Sequence, residues 1–226
     1  YAGAGYGTEA PVCATATYLS TYLRLVNPLT RIDTKAMTDT MPNIQLKDHF
    51  LISMPHMSDK HFTHTLTYIC DHNDEGAMGI VINRPMDLSL KEILDHLDMD
   101  TESMQDPEIP VYSGGPVQGE RGFVLHSPGE EWSSSHVIND HIYLSTSLDI
   151  LQSIAEGKGP DRFLVAVGYA GWGAGQLEEE IGNNAWLSCP ADLDIMFDTA
   201  AEKRLDAAAS LLGVNLDLLT SESGHG

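Results

Sequence analysis

The stretch RFLVAVGYAGWGAGQLEEEI, residues 162–181, decides how the rest of the chain is read. Residues 162–168 form the most apolar run in the sequence and predict a buried strand. Four glycines follow within residues 168–175, a density that signals positive φ angles or close backbone approach. Gln176 to Ile181 then reads as a short acidic helix. Strand, sharp turn and helix in that order admit two readings. In one, backbone N–H groups gather at a helix N-terminus and hold an anion. In the other, the glycines make a tight turn on which Tyr169 and Trp172 pack. The block lacks both the Lys-Ser/Thr of a phosphate loop and the spacing of a dinucleotide fingerprint. Glu178, Glu179 and Glu180 crowd the same helix turn, and their charge disfavours phosphate. The packing turn is preferred.

On either side of this block the chain alternates short strands with a few helices. HFLISM (49–54) reads as a buried strand ending at Pro55, and FTHTLTYIC (62–70) as a second, rich in β-branched and aromatic residues. DHNDEG (71–76) is a turn and AMGIVIN (77–83) a third strand, stopped by Pro85, so a hairpin is predicted. Ser89 and Glu92 have capping-box spacing ahead of Leu90, Ile93, Leu94 and Leu97, one apolar face of a helix. Further strands are predicted at 109–112, 122–126, 136–138 and 142–145. A helix over 147–156 turns Leu148, Leu151 and Ile154 inward and stops at Gly157. Strands at 185–189 and 194–197 precede a last helix over 199–212, with Leu205, Ala208, Leu211 and Leu212 on its buried face. No repeat or heptad run interrupts this α+β pattern, and no apolar run is long enough for a membrane-spanning helix.

The 226 residues carry 33 Asp+Glu against 12 Lys+Arg, a net charge of -21. Residues 1–40 balance three acidic groups with three basic ones, so the whole excess belongs to residues 41–226. The Gly, Ala, Thr and Tyr texture of 1–40 predicts a leader without packed structure, a start assigned too early, or a tag. Residues 41–226 are read as the folded domain. Such an acidic surface repels phosphate backbones and argues against direct binding to nucleic acid or an anionic membrane. Cys13, Cys70 and Cys189 are too few and too scattered for a disulfide framework or a four-ligand zinc site. A reduced, cytoplasmic setting is expected, with no metal and no cofactor.

A few side chains could carry chemistry. Arg84, at a strand end before Pro85, could clamp a carboxylate or phosphate; an internal ion pair is the plainer reading. Asn83 beside it is then a turn or cap residue. His126 closes the strand 122–126, as a general base or, more simply, as a hydrogen-bonded half-buried residue. Cys70 and His72 are two apart, which places them on the same side of an extended chain. That leaves a nucleophile pair, a zinc site or a redox-sensing Cys70 open. Cys189 reads as a small buried residue. Glu178 to Glu180 reads as a solvated helix face. No nucleophile elbow or paired catalytic carboxylates occur.

Five blocks in order resemble the bacterial AlgH/YqgE family: FLISMP (50–55), GIVINRP (79–85), GGPV (114–117) with GFVLH (122–126), GYAGWGAGQLE (168–178) with Glu180, and NAWL (184–187). The resemblance covers about residues 44–215. It implies one compact α+β domain, with a mixed, mostly antiparallel sheet curled into a partial barrel and helices packed outside. It implies no established reaction, although members carry the label of transcriptional regulator. With this charge and no recognition helix in the pattern, such regulation is expected through a protein partner or small ligand rather than DNA. Asn83, Arg84, Gly114, Gly115, His126, Gly171, Trp172, Gln176 and Glu178 match the family blocks and are expected to converge on one binding cleft. The rival reading is an enzyme or small-anion site built from Arg84, His126 and the loop 168–175.

Overall fold

The computed structural model describes residues 45–220, so the expectations for residues 1–40 lie outside the described residues. In chain order the first half contains β1 (His49–Ser53), β2 (Leu66–Asn73), β3 (Gly76–Val81), β4 (Pro85–Ser89), α1 (Leu90–His96), β5 (Pro110–Ser113) and β6 (Val117–His126). The second half contains β7 (Ser135–Val137), β8 (Tyr143–Ser145), α2 (Leu148–Ala155), β9 (Phe163–Gly173), α3 (Gln176–Gly182), β10 (Trp186–Pro190), α4 (Leu193–Phe197), α5 (Ala201–Leu211) and α6 (Leu216–Thr220).

The strands run in the order β10-β1-β2-β3-β9-β6-β8-β7, with β4 and β5 on a side branch. Neighbours are antiparallel except β5 on β9. β10 and β7 end the path without pairing to each other, so the sheet curls into a barrel that does not close. β9 joins the two halves: its first part lies between β5 and β6, and residues 170–173 pair with β3.

Side-chain alternation along each strand divides the apolar residues into an inner core and two outer layers. Phe50, Ile52, Leu66, Tyr68, Ile80, Phe123, Leu125, Leu164 and Ala166 fill the barrel, sealed by Met196 of α4 and Leu205 and Ala208 of α5. Val124 and Val165 point outward under α1 and α2. Leu51, Ile69, Ala170, Trp172 and Trp186 point outward under α3. Along β9 the inward residues are 164 and 166 before Gly168 but Tyr169 after it. Gly168, at φ +73°, makes this switch, because its left-handed backbone inserts one step into the alternation. Opposite it, a Cβ on Gly114 would strike the Gly168 carbonyl.

Several sequence expectations need correction. The glycine-rich block is not a loop: β9 continues to Gly173 before α3 begins. The segment 62–65 belongs to a turn, and β2 instead runs on to Asn73. The third strand ends at Val81, and Pro85 opens the edge strand β4. Residues 193–197 form a helix rather than a strand. The capping box at α1 is present, with Ser89 Oγ accepting from Glu92 N–H and the Glu92 carboxylate accepting from Ser89 N–H, a pattern that contributes about 1 kcal/mol. Leu97, Leu148, Leu211 and Leu212, expected inside, are exposed. On α5, Arg204 and Ala209 are buried instead, and Arg204 lies over the Tyr112 ring while donating to the carbonyls of Thr199 and Ile82.

Candidate functional site

The motif residues divide into separate groups, each with its own partners. Asn83 accepts from Leu66 N–H and donates to His64 O. Arg84 donates to the carbonyls of Lys60, His61 and Thr63, at 3.1, 2.8 and 2.6 Å. Neither the anion clamp nor the ion pair read from sequence is realised. The guanidinium instead caps a tight turn whose carbonyls have no helix to continue into. That turn carries Phe62, which stacks on Trp172 at 5.9 Å and meets Trp186 edge-on.

Trp172 and Trp186 are buried and both donate to Glu180 Oε2. Gln176 bridges Gly173 N–H to Glu180 Oε1. Glu178 accepts from His72 Nε2 at 2.9 Å, while Nδ1 of the same ring accepts Leu46 N–H. Two of the three consecutive glutamates therefore hold specific partners, Glu178 while still exposed to solvent and Glu180 half-buried. The Gln176 side chain takes the Gly173 N–H just ahead of α3, and Glu178 and Glu179 in the first helical turn put negative charge where an anion would have to sit.

Gly114 and Gly115 sit where β5 passes β9, and a Cβ on Gly115 would collide with the Tyr169 carbonyl. Their role is close backbone approach. His126 is wholly buried, with ring nitrogens bonded to Ser127 O and Ser145 Oγ, both at 2.8 Å. Trp132 and Tyr143 pack against its ring. Burial holds its pKa below the ordinary histidine value, favouring the neutral form. Of Arg84, His126 and Trp172, only Trp172 lines the cleft described below.

Cys70 and His72 are not on the same side. The β2–β3 register slips between Ile69 and Asp71, and this bulge turns Cys70 and Asp71 toward the barrel while His72 points to α3. The Cys70 thiol is 1% exposed, and burial pushes its pKa far up. A redox sensor needs an accessible thiolate, so that reading is withdrawn. Cys189 is buried, as expected. Among the described residues no group of His, Cys, Asp and Glu is placed to hold a metal ion.

The feature that sequence reading missed is a cleft of about 610 Å³ at the barrel mouth. Met78, Phe123 and Tyr169 line its apolar side, Gly171 and Trp172 belong to its wall, and Asp71 and Glu75 stand on the β2–β3 hairpin. Arg121 is its cation. Between Val117 and Gly122 the pairing of β6 with β9 breaks, and Gln118 takes a φ of +49°. Bulges re-aim side chains in this way. The Arg121 guanidinium lies 5.4 Å from the Phe123 ring centroid, with hydrogen bonds of 3.3 and 3.4 Å to Gln118 Oε1 and Thr146 Oγ1.

Three of the four described arginines are otherwise employed. Arg84 and Arg204 bond carbonyls, and Arg162 pairs with Asp194 and Asp198. Arg121 forms no ion pair among the described residues, in a chain with 33 acidic side chains. A groove of about 450 Å³ beside Arg162 has its cation already neutralised by that pairing. The sequence signal for the cleft was the polar run QGER between Val117 and Gly122, which interrupts a strand.

The molecule is thus a half-open α+β barrel with a cleft of about 610 Å³ at its mouth. Residues 50–217 match the AlgH-like family, DUF179, and the chain belongs to that family. A UPF0301 protein of Thioalkalivibrio sulfidiphilus is 54% identical over 178 residues, 79% of this chain and 95% of the relative. A UPF0301 protein of Pseudomonas fluorescens is 57% identical over 181 residues, 80% of this chain and 95% of its own length. The solution structure of the AlgH protein from Pseudomonas aeruginosa is similar at a TM-score of 0.66 and 50% identity, covering 83% of this chain and all of that one. The crystal structure of protein DIP2367 from Corynebacterium diphtheriae, 16% identical with a TM-score of 0.62 over 81% of this chain and 94% of that one, shares the fold.

Proposed function

We propose that this protein is a binding protein whose ligand enters the barrel-mouth cleft and is anchored by Arg121. The observation that carries the reading is the arginine itself: exposed, seated on an aromatic ring and without a carboxylate partner among the described residues. A guanidinium so placed is pre-organised for a planar anionic group. Apolar side chains with a few converging polar groups, at the mouth of a barrel, match the usual build of small-ligand sites.

Regulation of transcription, the label attached to the family, then runs through ligand-dependent contacts with a protein partner in the cytoplasm. The acidic surface opposes direct contact with DNA. The longest described helix, α5, exposes Glu202, Lys203 and Asp206, a net negative set, and buries its arginine. No described helix is long and apolar enough to cross a membrane.

The test is a thermal-shift panel of small carboxylates, phosphates, amines and zwitterions against the full chain and Arg121→Gln. Compounds that raise the Tm of the wild type and lose that effect in Arg121→Gln support the reading. A panel without a single stabilising compound, or with compounds that stabilise both proteins equally, overturns it.

A further inference from the structure

The charges around the cleft narrow what it holds. Arg121 stands on β6, while Asp71 and Glu75 stand on the hairpin that includes β3. β3 and β6 flank β9 on opposite sides, and Glu75 immediately precedes β3, which puts its backbone roughly 10 Å from β6 at two strand spacings, with Asp71 on β2 one spacing further. The cleft thus has a cationic wall and an acidic wall, with Met78, Phe123 and Tyr169 between them. Among the described residues the Glu75 carboxylate forms no ion pair, and Asp71 accepts a 3.3 Å hydrogen bond from Asn73 and forms no ion pair.

A purely anionic ligand satisfies Arg121 but meets two local carboxylates and the field of a chain with net charge -21. A purely cationic ligand leaves Arg121 unanswered. A molecule with a carboxylate at one end, an ammonium at the other and an apolar body between answers every wall. Its charge-to-charge length is about 10 Å, which is three residues of extended peptide. Three residues also fit a cleft of about 610 Å³. Building on the binding reading above, we infer that the cleft accepts a short zwitterionic peptide, its C-terminal carboxylate on Arg121, its N-terminal ammonium toward Asp71 and Glu75, and an apolar side chain on Phe123 and Tyr169.

The test uses the full chain and one probe, alanyl-phenylalanyl-leucine, titrated calorimetrically beside its C-terminal amide and its N-acetyl form. The free tripeptide is expected to bind, with each blocked form roughly tenfold to a hundredfold weaker, since each loses a charge-assisted hydrogen bond. Arg121→Gln should weaken the free acid by a similar factor and leave the amide nearly unchanged. Glu75→Gln should weaken the free peptide and spare the N-acetyl form. Equal binding of the acid and its amide overturns the orientation on Arg121. If other panel compounds bind through Arg121 while the tripeptide does not, the peptide assignment falls and the binding reading stands. If nothing binds through Arg121, the binding reading falls as well.

Discussion

Trp172 and Trp186 donate their indole N–H groups to the same atom, Glu180 Oε2, at 2.9 and 2.8 Å. The two rings also meet edge-on, with centroids 6.1 Å apart. One carboxylate of α3 therefore satisfies two buried donors from strands at opposite ends of one half of the sheet. Leaving both unsatisfied costs about 1–3 kcal/mol for each. Glu180→Ala is expected to lower the unfolding free energy by roughly 2–4 kcal/mol, measured by denaturant titration. Glu180→Gln keeps a carbonyl acceptor and should lose less than half as much.

Arg84 holds the turn that presents Phe62 to these tryptophans. Arg84→Ala should cost roughly 1–3 kcal/mol. It should also raise amide exchange over residues 59–65 more than elsewhere, as read by hydrogen-exchange mass spectrometry. Arg84→Lys should not restore protection, because one ammonium cannot reproduce the planar fork that reaches three carbonyls.

His126 is buried and favoured in its neutral form, with its folded pKa below the ordinary value near 6.5. The unfolded chain therefore takes up this proton at higher pH than the folded one. Stability from this group is present above pH ~6.5 and is lost as pH falls below it. In His126→Gln the part of the stability slope that sets in below about pH 6.5 should flatten, as measured by denaturation midpoints across a descending pH series.

Cys70 and Cys189 are 1% and 2% exposed, and burial raises both thiol pKa values. Under native conditions a thiol reagent should leave both unmodified, with peptide mapping as the readout. Both should react once denaturant unfolds the chain. Fast native labelling of Cys70 would restore the redox reading.

Much of the fold is written locally. The run 162–168 specifies a buried strand, and Ser89 with Glu92 specifies a helix start; both stand as read. What escaped the sequence are changes of face. The bulge at Cys70 and the left-handed Gly168 each insert one step into a period of two, and a single step sends every later side chain to the opposite side. For that reason Cys70 and His72 part company and Tyr169 turns into the barrel. The glycines of 168–175 announced positive φ or close approach, but not that Gly114 and Gly115 at the end of a second strand meet them. Arg84 was read as an anion clamp or half of an ion pair, yet its partners are carbonyls brought from 60–63, which carry no sequence signature. Arg121 was passed over because its role depends on a bulge between two distant strands.

Whether Arg121 anchors a ligand in the cleft is read by following its Nε–H resonance by NMR while stabilising ligands are added to the full chain. A ligand seated in the cleft should shift and sharpen that resonance together with the Met78 methyl and the Tyr169 ring. Ligands that raise the Tm while leaving Arg121 and Met78 unmoved would contradict the account.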